Sequence, residues 1–178
     1  MKVRWSQDLF QRAFKFASQA HYGQKIPGSE LPYIIHVSLV CTELMAVINE
    51  NVDADLIVQC ASLHDVLEDT PVTFEIIKNE FGQQIADGVA ALTKNRHLKK
   101  EFQGEESLQR ILKQPIEIWM VKMADRITNL GPPPASWTRD KRLFYRKQSI
   151  QVYETLKDAD KILGDRLKAK IESYQEYI

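Results

Sequence analysis

Apolar residues recur at helical spacing from one end of this chain to the other, and no stretch convincingly alternates with the period of a strand. That pattern restricts the chain to an all-α fold. Ser6 can cap a first helix whose apolar face carries Leu9, Phe10, Ala13, Phe14, Ala17 and Ala20. Gly23 to Pro32 holds two prolines and two glycines and reads as a loop. A second helix is predicted from near His36 to about Asn49, and a third from the cap Asp53 to about Asp69, stopped by Thr70-Pro71. A short fourth helix opens at Thr73 and ends at Phe81-Gly82, and another covers 83–93. The polar, partly basic stretch 94–106 shows no periodicity and is expected to be a mobile loop. Helices follow at about 106–113 and 116–130, then the stiff Pro132-Pro133-Pro134, then two long amphipathic helices at about 138–158 and 160–177. The expectation is a single-domain helical bundle over 1–178, of about eight to ten helices.

At 178 residues the chain is long enough to bury a core of its own. Cationic and anionic side chains balance at 24 each, so no global field draws it to nucleic acid or to an anionic membrane. No apolar run is long enough to span a bilayer. The opening MKVRWSQDLFQRAF is too charged for a secretory leader, which favours a cytoplasmic location. Cys41 and Cys60 lie in apolar contexts and read as buried free thiols.

Against this background, CASLHDVLEDT at 60–70 is anomalous. Cys60, Ala61, Leu63, Val66 and Leu67 form an apolar stripe, yet His64, Asp65, Glu68 and Asp69 lie among them. His64 and Glu68 are four residues apart, as are Asp65 and Asp69, so one helix would present all four on adjacent ridges. His36 in PYIIHVSLV and Asp125 in EIWMVKMADRITNL are similar intrusions into apolar helices. Taken alone, either has an ordinary structural reading, Asp125 as an ion-pair partner of Lys122 or Arg126. Together, two imidazoles and two carboxylates form a mixed nitrogen and oxygen donor set suited to Mn²⁺, Fe²⁺, Zn²⁺ or a related ion.

His36, His64-Asp65 and Asp125 resemble the His…His-Asp…Asp signature of the HD superfamily of metal-dependent phosphohydrolases. AHYGQ, PYIIH, HDVLEDT, EFGQQIADGVAALTKN and VKMADRITNL are similar, in order, to the hydrolase domain of RelA/SpoT alarmone enzymes, over about 9–155. The chain is most like the free-standing small alarmone hydrolases, because no stretch is left over for synthetase or regulatory domains. The resemblance implies an HD-type helical bundle and hydrolysis of the 3′-pyrophosphate of guanosine tetra- or pentaphosphate by metal-activated water. It also implies Mn²⁺ held by His36, His64, Asp65 and Asp125, with Glu68 and Asp69 as the catalytic acids.

Asn129 matches the asparagine of the family's DRxxN motif, which implies contact with sugar or phosphate, while Lys122 fits either substrate or an acid. Gln24 and Lys25 belong to the expected substrate loop, where the family usually carries Arg-Lys and this chain has Lys25-Ile26-Pro27. Losing that arginine leaves the base open: an adenine alarmone, NADPH or another 2′- or 3′-phosphorylated nucleotide is the alternative substrate. A non-catalytic nucleotide-binding module is the alternative of another class. Arg96–Lys100 and Arg139–Lys147 are basic stretches, mostly expected as solvated faces. Within them Lys141, Arg142 and Tyr145 are candidates to face the pocket.

Overall fold

A computed structural model describes residues 5–178; the first four, where the charged N-terminal stretch begins, lie outside the described residues. Ten α-helices follow one another in the described chain: α1 Gln7–Ala20, α2 Ile34–Met45, α3 Ala54–Leu63, α4 Val66–Asp69, α5 Phe74–Phe81, α6 Gln83–Leu92, α7 Lys100–Ile111, α8 Ile116–Asn129, α9 Arg139–Leu156 and α10 Lys161–Ser173. Short 3₁₀ turns cover Lys157–Ala159 and Tyr174–Tyr177. Among the described residues the extended pairing amounts to one isolated bridge between Lys25 and Pro32. The all-α expectation holds.

Helix starts follow local chemistry. The side chains of Ser6, Asp53, Thr73, Thr138 and Asp160 accept the amides of Leu9, Leu56, Ile76, Lys141 and Leu163, each such cap typically contributing about 1 kcal/mol. Gly82 separates α5 from α6 at φ 90°, a conformation that would strain a residue with a Cβ. Cys41 and Cys60 are free and buried, as expected.

α3 is the central element, with Ala54 and every residue from Leu56 to Leu63 buried. It packs on α1, α2, α6 and α8. α8 is nearly as enclosed, with Met120 through Ile127 buried, and lies against α2 and α3. These three helices set the positions of four polar groups: His36 on α2, His64-Asp65 at the end of α3, and Asp125 on α8.

Three sequence expectations are corrected. The helix expected over 53–69 is two pieces, because His64 and Asp65 form a turn and Asp65 sits at φ −104°, ψ 0°. The His64 ring bonds the carbonyl of Ala61, to which the Asp65 amide would donate in an uninterrupted helix. The four polar groups therefore do not lie on two ridges of one helix. Residues 100–106 are helical rather than loop, as the first half of α7. The buried face of α7 begins only at Ser107, Leu108 and Ile111, so the preceding polar turns show no apolar period. α2 runs over Ile34–Met45, about one turn earlier at its end than expected.

The loop at 23–32 is fastened to the segment after α8. Gly28 has φ 79°, and a Cβ there would stand 3.0 Å from the Pro134 Cβ. The substrate-loop candidate thus packs directly on the proline run.

Candidate metal centre

His36, His64, Asp65 and Asp125 converge, with one ligand atom from each lying within 4.8 Å of all the others. The two Nε2 atoms are 3.2 Å apart. His64 Nε2 lies 2.8 Å from Asp65 Oδ2 and 3.9 Å from Asp125 Oδ1. His36 Nε2 lies 3.6 and 3.5 Å from the same two oxygens. Donors bonded at about 2.1 Å to one ion stand roughly 3–4 Å apart, so the spacing fits a divalent cation.

The outer nitrogens fix the tautomers. His64 Nδ1–H donates to the Ala61 carbonyl at 2.8 Å. Thr128 donates its hydroxyl to the Asp125 carbonyl, so its Oγ1 is left to accept from His36 Nδ1 at 3.3 Å. Both Nε2 lone pairs then face the same point in a buried site, where they repel unless a proton or a cation lies between them.

The charges agree. Burial by itself would lower His36, but its hydrogen bonds to Asp125 and Asp65 outweigh this and raise it to about 9. His64 is raised too: burial opposes its charge, and Asp65 overcomes it. Burial works against the Asp65 carboxylate, yet His64, His36 and the Tyr33 hydroxyl hold it well below the usual range. Asp125 is likewise held low, with Lys122 the main opponent of burial. Both acids are held in the ionised form, and a proton between the two imidazoles would stand where a metal ion would bind.

Around this cluster stands a ring of partners. Tyr33 donates to Asp65 Oδ2 at 2.5 Å and stacks between His21 and His36. Lys122 donates to Asp125 Oδ2 at 2.9 Å, and Asn129 to Asp125 Oδ1 at 2.5 Å. Lys122 is thus the ion-pair partner of Asp125, whereas Arg126 lies over the Tyr145 ring at 4.5 Å. The Glu68 carboxylate accepts from the Lys94 amide at 3.0 Å and from its ammonium at 2.7 Å. Asp69 accepts from Arg96 at 3.3 Å and from Gln24 at 3.5 Å, and His21 Nδ1 bonds Gln24 Oε1 at 2.7 Å. Burial raises Asp69 most, and the charges of Asp65 and Glu68 add to it.

The remaining candidates are engaged elsewhere. Lys25 pairs with Glu30 at the surface. The Lys141 ammonium sits over Trp137 at 4.1 Å, and Arg142 donates to the Tyr177 carbonyl at 3.1 Å. Tyr145 packs under the Arg126 guanidinium, which also donates to Ser149. Sequence reasoning does not single out Lys94, Tyr33, His21 or Thr128. Tyr33 and His21 stand inside PYIIH and AHYGQ, beside residues that it does select. Lys94 stands near the end of EFGQQIADGVAALTKN, a stretch that carries the family resemblance but gives no role to any one residue.

Residues 13–162 match the HD domain. The chain belongs to the HD domain family. Among its relatives it is 32% identical over 151 residues to the guanosine-3′,5′-bis(diphosphate) 3′-pyrophosphohydrolase of Aquifex aeolicus, covering 82% of this chain and 20% of that protein. It is 32% identical over 152 residues to the bifunctional (p)ppGpp synthase/hydrolase SpoT of Escherichia coli, covering 82% and 21%. This HD chain thus spans about a fifth of those long proteins. With the Drosophila melanogaster pyrophosphohydrolase MESH1 it shares 27% identity over 153 residues, 83% of this chain and 84% of that one. Its fold matches the structure of a metazoan orthologue of SpoT that hydrolyses ppGpp, with TM-score 0.85, 24% identity, and 99% and 100% of the two chains covered.

Proposed function

We propose that this chain is a divalent-metal-dependent hydrolase that removes the 3′-pyrophosphate of guanosine tetra- or pentaphosphate, giving GDP or GTP and pyrophosphate. The observation that carries this reading is the convergence of two freed imidazole nitrogens and two ionised carboxylates beside a second acid pair, Glu68 and Asp69. The HD relatives named as 3′-pyrophosphohydrolases support the substrate class.

His36, His64, Asp65 and Asp125 would hold the ion, for which Mn²⁺ is our assignment. When bound, such an ion lowers the pKa of a coordinated water and stabilises charge developing on the phosphoryl oxygens. Glu68 takes the proton of the attacking water as its oxygen forms a bond to the phosphorus nearest the 3′ position. The bond from that phosphorus to the 3′ oxygen breaks, the departing oxygen takes its proton from solvent water, and Asp69 stays beside Glu68, held by Arg96 and Gln24. Four site carboxylates face three cations, Lys94, Arg96 and Lys122. A divalent ion turns that excess of negative charge into a net positive field for a polyphosphate.

One observation favours a second substrate. Lys25-Ile26-Pro27 stands where the family usually carries Arg-Lys, and the one remaining base, Lys25, is bound to Glu30. A 2′- or 3′-phosphorylated adenine nucleotide fits that loop as well. Purified protein with Mn²⁺ should release pyrophosphate from guanosine tetraphosphate in a substrate panel with product identification. Orthophosphate as product, or turnover of adenine nucleotides alone, would overturn the guanine reading.

A further inference from the structure

We propose that Lys94 is a positioning residue for the water-activating carboxylate: it grips both oxygens of Glu68 and sets the direction in which that carboxylate faces the metal centre. This rests on the general-base role given to Glu68 above.

One residue accounts for both anchors of the Glu68 side chain, its amide on Oε2 at 3.0 Å and its ammonium on Oε1 at 2.7 Å. Two bonds to one carboxylate fix the plane of the group as well as its place, which a single bond would leave free to rotate. The Glu68 side chain is 14% exposed, so water competes weakly for either oxygen. Burial would by itself disfavour the Lys94 ammonium, and the Glu68 charge keeps it protonated.

The grip itself is rigidly mounted. Lys94 follows directly on α6, and the α6 end is tied to α7 by Arg110, which donates to the carbonyls of Ala90 and Thr93. Arg110 is in turn held by Glu106, one turn earlier on α7. The Thr93 hydroxyl closes the last turn of α6 on the Val89 carbonyl. Lys94 therefore reaches across 26 positions in sequence to Glu68 from a helix terminus braced by a second helix. A misplacement of about 1 Å at a reacting group costs on the order of a hundredfold in rate, which is the scale on which such a brace acts.

The test is a double-mutant cycle in the metal-loaded protein. Lys94→Met should lower kcat by roughly 10- to 100-fold with KM changed less than about threefold, and Lys94→Arg should recover most of the loss. Metal content and thermal melting should match the parent, and Lys94→Gln serves as a second variant should Met prove unstable. In a Glu68→Gln background, followed by single-turnover measurements with protein in excess, Lys94→Met should cause no further loss, because its effect runs through Glu68. A rise in KM with kcat intact, or a full additional loss in the Glu68→Gln background, would show Lys94 acting on the substrate directly and would overturn the proposal. Full activity of Glu68→Gln alone would instead overturn the general-base reading beneath it.

Discussion

The candidate metal centre and the outlying cations at the rim differ in how their polar side chains are held. At the centre, His36, His64 and Asp125 are buried and each has a partner fixing its far side: Thr128, Ala61, and Lys122 with Asn129. Further out, Lys25 and Lys141 are exposed and are satisfied by Glu30 and the face of Trp137. In a desolvated site an unpaired polar group is costly, so geometry is imposed there; at the surface water replaces any partner at little cost. The centre is preorganised for one ion, whereas a rim cation must leave its present partner to meet a substrate.

The most damaging change should be at the centre. Asp125→Ala removes one of the four donors and uncovers Lys122 in a buried site, so metal occupancy by elemental analysis should fall and turnover should drop on the order of a thousandfold or more. Undiminished occupancy would break the four-donor description. One step outward, Tyr33→Phe deletes only the hydroxyl that orients Asp65, and metal affinity should weaken roughly 10- to 100-fold by titration calorimetry with the fold intact. An unchanged affinity would mean that the bond to Asp65 organises nothing.

Protons should compete with the ion. His36 is raised to about 9 in the metal-free protein, so binding below that pH must displace its proton. Metal affinity should therefore climb by about tenfold per pH unit toward pH 9 and level off above it. The same group, raised above its unfolded value of about 6.5, stabilises the metal-free protein below that pH and ceases to do so as pH rises through 9. An affinity that is flat from pH 6 to 9 would remove the imidazole from the ligand set. The smallest effect belongs to the rim: Lys25→Ala breaks an exposed pair and should change stability by less than about 0.5 kcal/mol and KM by less than about threefold. A tenfold rise in KM would show that Lys25 leaves Glu30 to hold the substrate, and the contrast between a preorganised centre and a loosely held rim would fail.

Much of the centre is legible in the sequence for a local reason. A histidine or aspartate inside an apolar helix stands out against the period around it, and His36, His64, Asp65 and Asp125 all do so. Lys94, by contrast, closes a family-like stretch among other polar residues, where the period around it does not distinguish a structural lysine from a solvated one. The motif match points Asn129 toward the substrate, and in the structure its amide also bonds Asp125 Oδ1, since a spacing of four residues on one helix brings the two side chains together. The start of α7 is hidden because its first turns bury nothing that would mark a period.

The sequence by itself determined the helical class and, through caps, glycines and prolines, where most helices begin and end. It also marked His36, His64, Asp65 and Asp125 as candidate metal ligands, because each interrupts an apolar period. These depend on interactions among residues a few positions apart. Tertiary structure alone decided that both imidazoles present Nε2 to one point and that the Lys94 ammonium meets the Glu68 carboxylate. These depend on which helix faces pack together, because a buried donor and acceptor far apart in sequence pair only when the surrounding core places them in reach.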